Sequence, residues 1–133
     1  MTLVFDAGAL VAYLTAEPGA EMVRQLLKEN PGDCYAHAIN LCEVFYPALR
    51  ADGLEAAREV IATLTAAGVQ ARSDMDTEFW ESAAGNKAAY AMSLADAFCV
   101  ALAQRMDAEL ITSDRHELEP VLVDSAARVI FIR

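Results

Sequence analysis

The sequence predicts a three-layer α/β/α sandwich built on a five-stranded, mainly parallel sheet. Three observations predict it. Short β-rich segments alternate with longer helical ones along the whole chain. The stretches between strands are helical, and parallel neighbours need crossovers of that kind. One strand runs straight into an aspartate and another reaches one a residue later, at the place where open α/β sheets hold their ligands.

The elements follow in order. Thr2–Phe5 reads as a strand, leading into an amphipathic helix from about Ala7 to Leu14. Glu17-Pro18-Gly19 then opens a second helix, with Ala20, Val23, Leu26 and Leu27 at helical spacing. Asn30-Pro31-Gly32 stops it, and Cys34–Ala36 forms the second strand. Helical patterns cover Ile39–Arg50 and Leu54–Ala67, punctuated by Gly53 and Gly68, before a brief strand at Val69–Ala71. Two more helices span Thr77–Ala91 and Leu94–Met106, and Glu109–Thr112 and Arg128–Ile132 complete the sheet. Ser113-Asp114-Arg115 reads as a turn. No linker, repeat or low-complexity stretch divides the chain, so residues 1–133 are expected to form one domain.

Composition narrows the class. The hydrophobic share is 56%, much of it alanine, yet no run reaches the ~18 apolar residues of a membrane span. The N-terminus lacks the basic start of a secretory signal and carries Asp6 within its apolar stretch, so a cytoplasmic protein is expected. Three cysteines, Cys34, Cys42 and Cys99, contain no CxxC pair and argue against a disulfide framework. Cys42 and Cys99 lie in apolar helical sequence and are expected as small core residues. His37 and His116 are too far apart to form a metal site of their own. Ten basic residues against twenty acidic give a net charge of −10, which by itself points away from phosphate-backbone binding.

Four acids stand where acids are costly. Asp6 directly follows Leu3-Val4-Phe5, and Asp114 occupies the equivalent place after Leu110-Ile111-Thr112. Either could be a helix cap or turn residue; together, on strands that could be neighbours, they converge on one crevice. Glu43 lies among Leu41, Cys42, Val44 and Phe45. Asn40-x-x-Glu43 has capping-box spacing, although His37 or Ala38 could equally start that helix and place Glu43 further in. Asp96 follows Ser93-Leu94-Ala95 and precedes Ala97-Phe98-Cys99-Val100, in a helix apolar almost all round. Ser93 as N-cap with Asp96 three residues on also makes a fair cap.

The set constrains more than any member. Two unit charges ~4 Å apart repel by about 4 kcal/mol at an effective dielectric near 20. No lysine or arginine obviously neutralises these motifs, so a divalent cation is the natural partner. Carboxylate oxygens favour Mg²⁺ or Mn²⁺ over zinc. Such an ion can activate water and stabilise charge on a phosphodiester.

The strings VFDAGALVAYL, EPGAE, AINLCEVFY, K-x5-SLADAFCVALA and LITSDRHELEPV resemble the PIN-domain family, and in combination its bacterial VapC-type toxin branch. The resemblance spans nearly the whole chain. It implies an endoribonuclease that binds Mg²⁺ or Mn²⁺ through Asp6, Glu43, Asp96 and Asp114. Thr112 matches a threonine that precedes the last acid by two residues and supports the site, Asn40 a frequent polar position one helical turn before the second acid, and His116 and Glu117 a subgroup with those residues after the last aspartate. It also implies an RNA substrate, a homodimer, and inhibition by a small antitoxin whose C-terminal segment enters the acidic groove. Gly8 departs from the pattern, standing where many members carry a serine or threonine hydroxyl. The strong acidity departs too, and suits a basic peptide better than RNA. An RNA-processing nuclease without an antitoxin is the nearest alternative. A phosphoacceptor receiver domain would need a second acid beside Asp6 and a lysine after a late strand, and the chain has Phe5-Asp6-Ala7 and no suitable lysine.

Overall fold

The computed structural model describes all 133 residues, Met1–Arg133. Strand β1 (Leu3–Phe5) lies in the middle of a five-stranded sheet of order β3-β2-β1-β4-β5, with β2 at Cys34–His37, β3 at Val69–Arg72, β4 at Glu109–Thr112 and β5 at Arg128–Phe131. Every pairing is parallel, with Leu3 opposite both Cys34 and Glu109, and Phe5 opposite Ile111. The chain builds outward from β1 through β2 to β3, then crosses back to add β4 and β5 on the other side. The reversal opens a crevice between the carboxyl ends of β1 and β4.

Strand periodicity sorts the core into two layers. Leu3, Phe5 and Ile111 face helices α1 (Ala7–Leu14), α2 (Ala20–Glu29), α3 (Ala38–Asp52) and α4 (Leu54–Ala66), packing with Leu10, Val23, Leu27, Val44 and Leu64. Val4, Leu110 and Val129 face the opposite way, toward α5 (Thr77–Ala89), α6 (Leu94–Met106) and α7 (Arg115–Val123), where Phe79, Phe98, Leu118 and Val121 lie. Successive residues of a strand point to opposite faces, so a strand covered on both sides is continuously apolar. Helix α6 is the most enclosed: Ala95 and Ala97–Ala103 are all buried. Its alanines let the sheet and α5 approach closely. No helix is long and apolar enough to cross a membrane.

Several expectations need correction. Ser113-Asp114-Arg115 is not an isolated turn. Asp114 caps α7, which continues to Val123 despite Pro120 inside it. Helix α3 starts at Ala38, with His37 as N-cap, so Asn40 and Glu43 do not form a capping box. The His37 ring is buried and its Nδ1 accepts the Ile39 N–H at 3.0 Å. Its Nε2 therefore carries the proton and donates to the Asp74 carbonyl at 2.9 Å. Cys42 is exposed rather than in the core, because it faces outward from α3; Cys34 and Cys99 are buried. Helix α5 ends at Ala89, two residues sooner than the apolar pattern suggested.

Candidate active site

Asp6 leaves β1 at the crevice and caps α1, one of its oxygens taking the Ala9 N–H at 2.8 Å. Its other oxygen accepts from the Thr112 hydroxyl. The same hydroxyl oxygen accepts the Asp114 N–H at 2.9 Å. Thr112, fully buried at the end of β4, thus ties the first aspartate to the backbone of the last. Asp114 in turn takes the Glu117 N–H at 3.0 Å, the usual service of an N-cap residue. Its side chain is fixed by the helix it starts.

Asp96 enters from the other direction. Ser93 caps α6 and accepts the Asp96 N–H at 3.1 Å, which brings the acid into the first turn. Carboxylate oxygens of Asp96, Asp114 and Glu117 all lie within 4.8 Å of one another. Glu43, half-buried on α3, lies outside this trio but within the electrostatic reach of both Asp6 and Glu117. Asp6 is thus within electrostatic reach of each of the other three acids singled out in the sequence. The tightest grouping includes Glu117, expected only in support, in place of Asp6 and Glu43.

Ionisation reflects the crowding. Burial, with a smaller contribution from Asp114 and Glu43, pushes the Asp6 carboxyl up to about 6, although hydrogen bonds from Thr112 and Ala9 favour its charge. Burial first, then the Glu117 repulsion, raises Glu43. Asp96 is raised by burial, by a hydrogen bond with Glu117 and by the charge on Asp6. Glu117, the more exposed of the two, is held down and keeps its charge. The two shifts run in opposite directions, as they do for carboxylates that face each other. Beneath them the buried Cys99 thiol is kept protonated by burial and by the same acids.

No lysine or arginine forms an ion pair with any of the five acids. Arg115, next to Asp114 in sequence, turns away: it donates to the Arg133 carbonyl at 2.8 Å and lies 4.5 Å over the Phe131 ring. Lys87 is the lysine whose charge is felt at Glu117. Its ammonium donates to the Met92 carbonyl at 2.9 Å and, with His116, lowers the ionisation range of Glu117. Asn40, fully buried between α3 and α6, donates to the Ala95 carbonyl at 3.3 Å, while its Oδ1 has no partner. The donor set is all hard oxygen, with an unpaired amide oxygen in the same helix as Glu43, and fits a small divalent cation.

Glu117 was expected only in support, and the influence of Lys87 was not foreseen at all. Asp114-x-x-Glu117 has the spacing that sets a first-turn acid under a cap, and this was the available signal for Glu117. The influence of Lys87 on Glu117 depends on tertiary packing, with α5 folded against α6, and no local pattern carries it.

The PIN domain model matches residues 3–119, and the chain belongs to the PIN-domain family. That membership supports a nuclease, a hydrolase, at the general level. Comparison with curated proteins gives no match. Among solved structures, the chain is similar to a toxin–antitoxin complex from Klebsiella pneumoniae, with a TM-score of 0.77 and 18% identity, covering 99% of this chain and 98% of that one. DNA-bound VapBC from Salmonella typhimurium gives 0.76 at 15% identity, covering 100% and 99%. VapC20 from Mycobacterium tuberculosis, a toxin that cleaves the sarcin–ricin loop, gives 0.66 at 16% identity, covering 86% and 92%. Identities this low establish the shared fold.

Proposed function

We propose that the chain is a Mg²⁺- or Mn²⁺-dependent endoribonuclease and the toxin of a toxin–antitoxin pair. The observation that carries this reading is the grouping of Asp96, Asp114 and Glu117, with Asp6 and Glu43 in electrostatic reach and no protein cation paired to any of the five. Similarity in fold to toxin–antitoxin complexes and to an RNA-cleaving toxin supports the biological side. Asp6, Glu43, Asp96 and Asp114 would hold the ion, with Glu117 joining Asp96 and Asp114 in the tightest grouping. The ion would supply positive charge at the phosphodiester and an activated water near neutral pH.

The chain's own residues do the positioning. Thr112 holds Asp6 in one rotamer, and the α7 cap does the same for Asp114. Ser93 sets the first turn that presents Asp96. A basic antitoxin segment could occupy the same groove through charge complementarity. Exposed Tyr46, Leu49 and Leu54 on α3 and α4 support a C2 homodimer, which a monomeric sedimentation mass at micromolar concentration would refute.

The test is RNA cleavage by wild type and Asp96→Asn with Mg²⁺ or Mn²⁺ present. Activity should fall by about three orders of magnitude, since ion-borne stabilisation of the transition state amounts to several kcal/mol. Undiminished metal-dependent cleavage by the variant, free of contaminating nuclease, would overturn the reading.

A further inference from the structure

Gly8 occupies the first turn of α1, where alanine would favour the helix by about 0.5–1 kcal/mol. Its backbone has no need of glycine's conformational freedom, since φ is not positive there. Space explains it. A Cβ at position 8 would lie 2.6 Å from the Ser113 hydroxyl oxygen and 3.5 Å from the Asp6 carboxylate. Ser113 stands between Thr112, which holds Asp6, and Asp114. Both neighbours are hydrogen-bonded into the site. The Ser113 hydroxyl makes no hydrogen bond within the chain, although it is half-buried and seated in the cradle that Gly8 leaves.

We propose that Ser113 is a substrate-positioning residue: its hydroxyl, admitted to the acid cluster by the bare Cα of Gly8, donates a hydrogen bond to a phosphodiester oxygen of the bound RNA. A neutral donor suits this place. It can approach an anionic phosphate without competing with a divalent ion for the carboxylates. The inference rests on the nuclease reading and adds a residue to it.

Position 8 and position 113 then share one hydroxyl-sized space. Ser113 Cβ lies at an ordinary 3.9 Å from the added atom, so only the hydroxyl conflicts, and it can swing out by rotating about χ1. Steady-state cleavage of an RNA oligonucleotide and calorimetric Mn²⁺ binding should be measured for four variants. Ser113→Ala should raise KM about ten-fold, the loss of one hydrogen bond to a charged group, with kcat changed less than KM and Mn²⁺ affinity unchanged. Gly8→Ala should do the same by displacing the hydroxyl. Gly8→Ala/Ser113→Ala should be no worse than either single variant. Gly8→Ser/Ser113→Ala, which returns a hydroxyl from the other wall, should recover most of the loss. A KM for Ser113→Ala within two-fold of wild type overturns the inference, as does additivity of the two alanine changes. Weaker Mn²⁺ binding in step with KM would overturn it too, by showing that Ser113 shapes the acids instead of holding substrate. Asp96→Asn in the same assay separates the two levels. If it stays active, the nuclease reading fails; if it is inactive while Ser113→Ala matches wild type, only the inference fails.

Discussion

Two groups of acids near the carboxyl edge of the sheet are built from the same residue types and treated in opposite ways. Asp74 and Asp76, between β3 and α5, are fully engaged by arginines. Arg72 grips Asp74 through two nitrogens at 2.8 and 2.9 Å, and Arg105 reaches Asp74 at 3.0 Å and both oxygens of Asp76 at 2.6 and 2.8 Å. Those arginines hold the Asp74 carboxyl well below the usual carboxylate range. In the crevice, Asp6, Glu43 and Asp96 have no such partners, and burial pushes all three upward. A chain that can neutralise acids with its own cations has done so at one place and withheld them at the other. The unneutralised group is the one to which the proposed function assigns a cation from outside.

The largest expected difference between the groups is in activity. Asp74→Asn should leave metal-dependent cleavage within about two-fold of wild type, set against the thousand-fold loss expected of Asp96→Asn. Comparable losses in both would break the contrast.

The next effect is pH dependence, and the two regions titrate in opposite senses. Asp6 binds its proton more tightly folded than unfolded, so its contribution to stability is complete below about pH 4 and falls as pH rises through about 6. A shift from 3.8 to about 6 corresponds to about 3 kcal/mol at most. Asp74 is depressed, so its contribution is present above about pH 4 and declines as pH falls through the acid range. Urea unfolding in chelator should therefore find maximum stability near pH 4–5, and millimolar Mn²⁺ should flatten the decline toward neutral pH. A metal-free protein more stable at pH 7.5 than at pH 5 would contradict this.

Smaller effects concern stability alone. Asp74→Asn should cost about 1–2 kcal/mol in chelator, through weakened charge-assisted hydrogen bonds. Asp96→Asn under the same conditions should be neutral or stabilising, since it relieves repulsion. Equal destabilisation by the two would mean that the crevice acids are structural as well.

The strands, their parallel order and the placement of Asp6 and Asp114 were legible because each is a local pattern: an apolar run ending in an acid. Asp96 was legible for a related reason, an acid in a helix buried on every side. Helix α7 was not, because Pro120 and alternating polar residues erase its periodicity, and tertiary packing of Leu118 and Val121 sustains it instead. Glu117 joined the central trio only when α6 and α7 met. Cys42 looked like a core residue because its neighbours in sequence are apolar, yet α4 covers only part of α3. Ser113 had no sequence signal at all, since what marks it is the empty side of Gly8.

The hydrogen bond from Thr112 to Asp6 joins residues 106 apart. At translation rates of 5–20 residues per second, a ribosome needs about 5–20 s to travel from one to the other. Throughout that interval Asp6 has already been made, but β4, the neighbour that completes its surroundings, has not. A nascent chain therefore carries its first acid in an incomplete crevice until the segment from Glu109 to Glu117 has emerged and threaded beside β1. If the chain cuts RNA as proposed, the order of strands in the sheet acts as a timer, delaying assembly of the acid cluster until most of the chain has been translated.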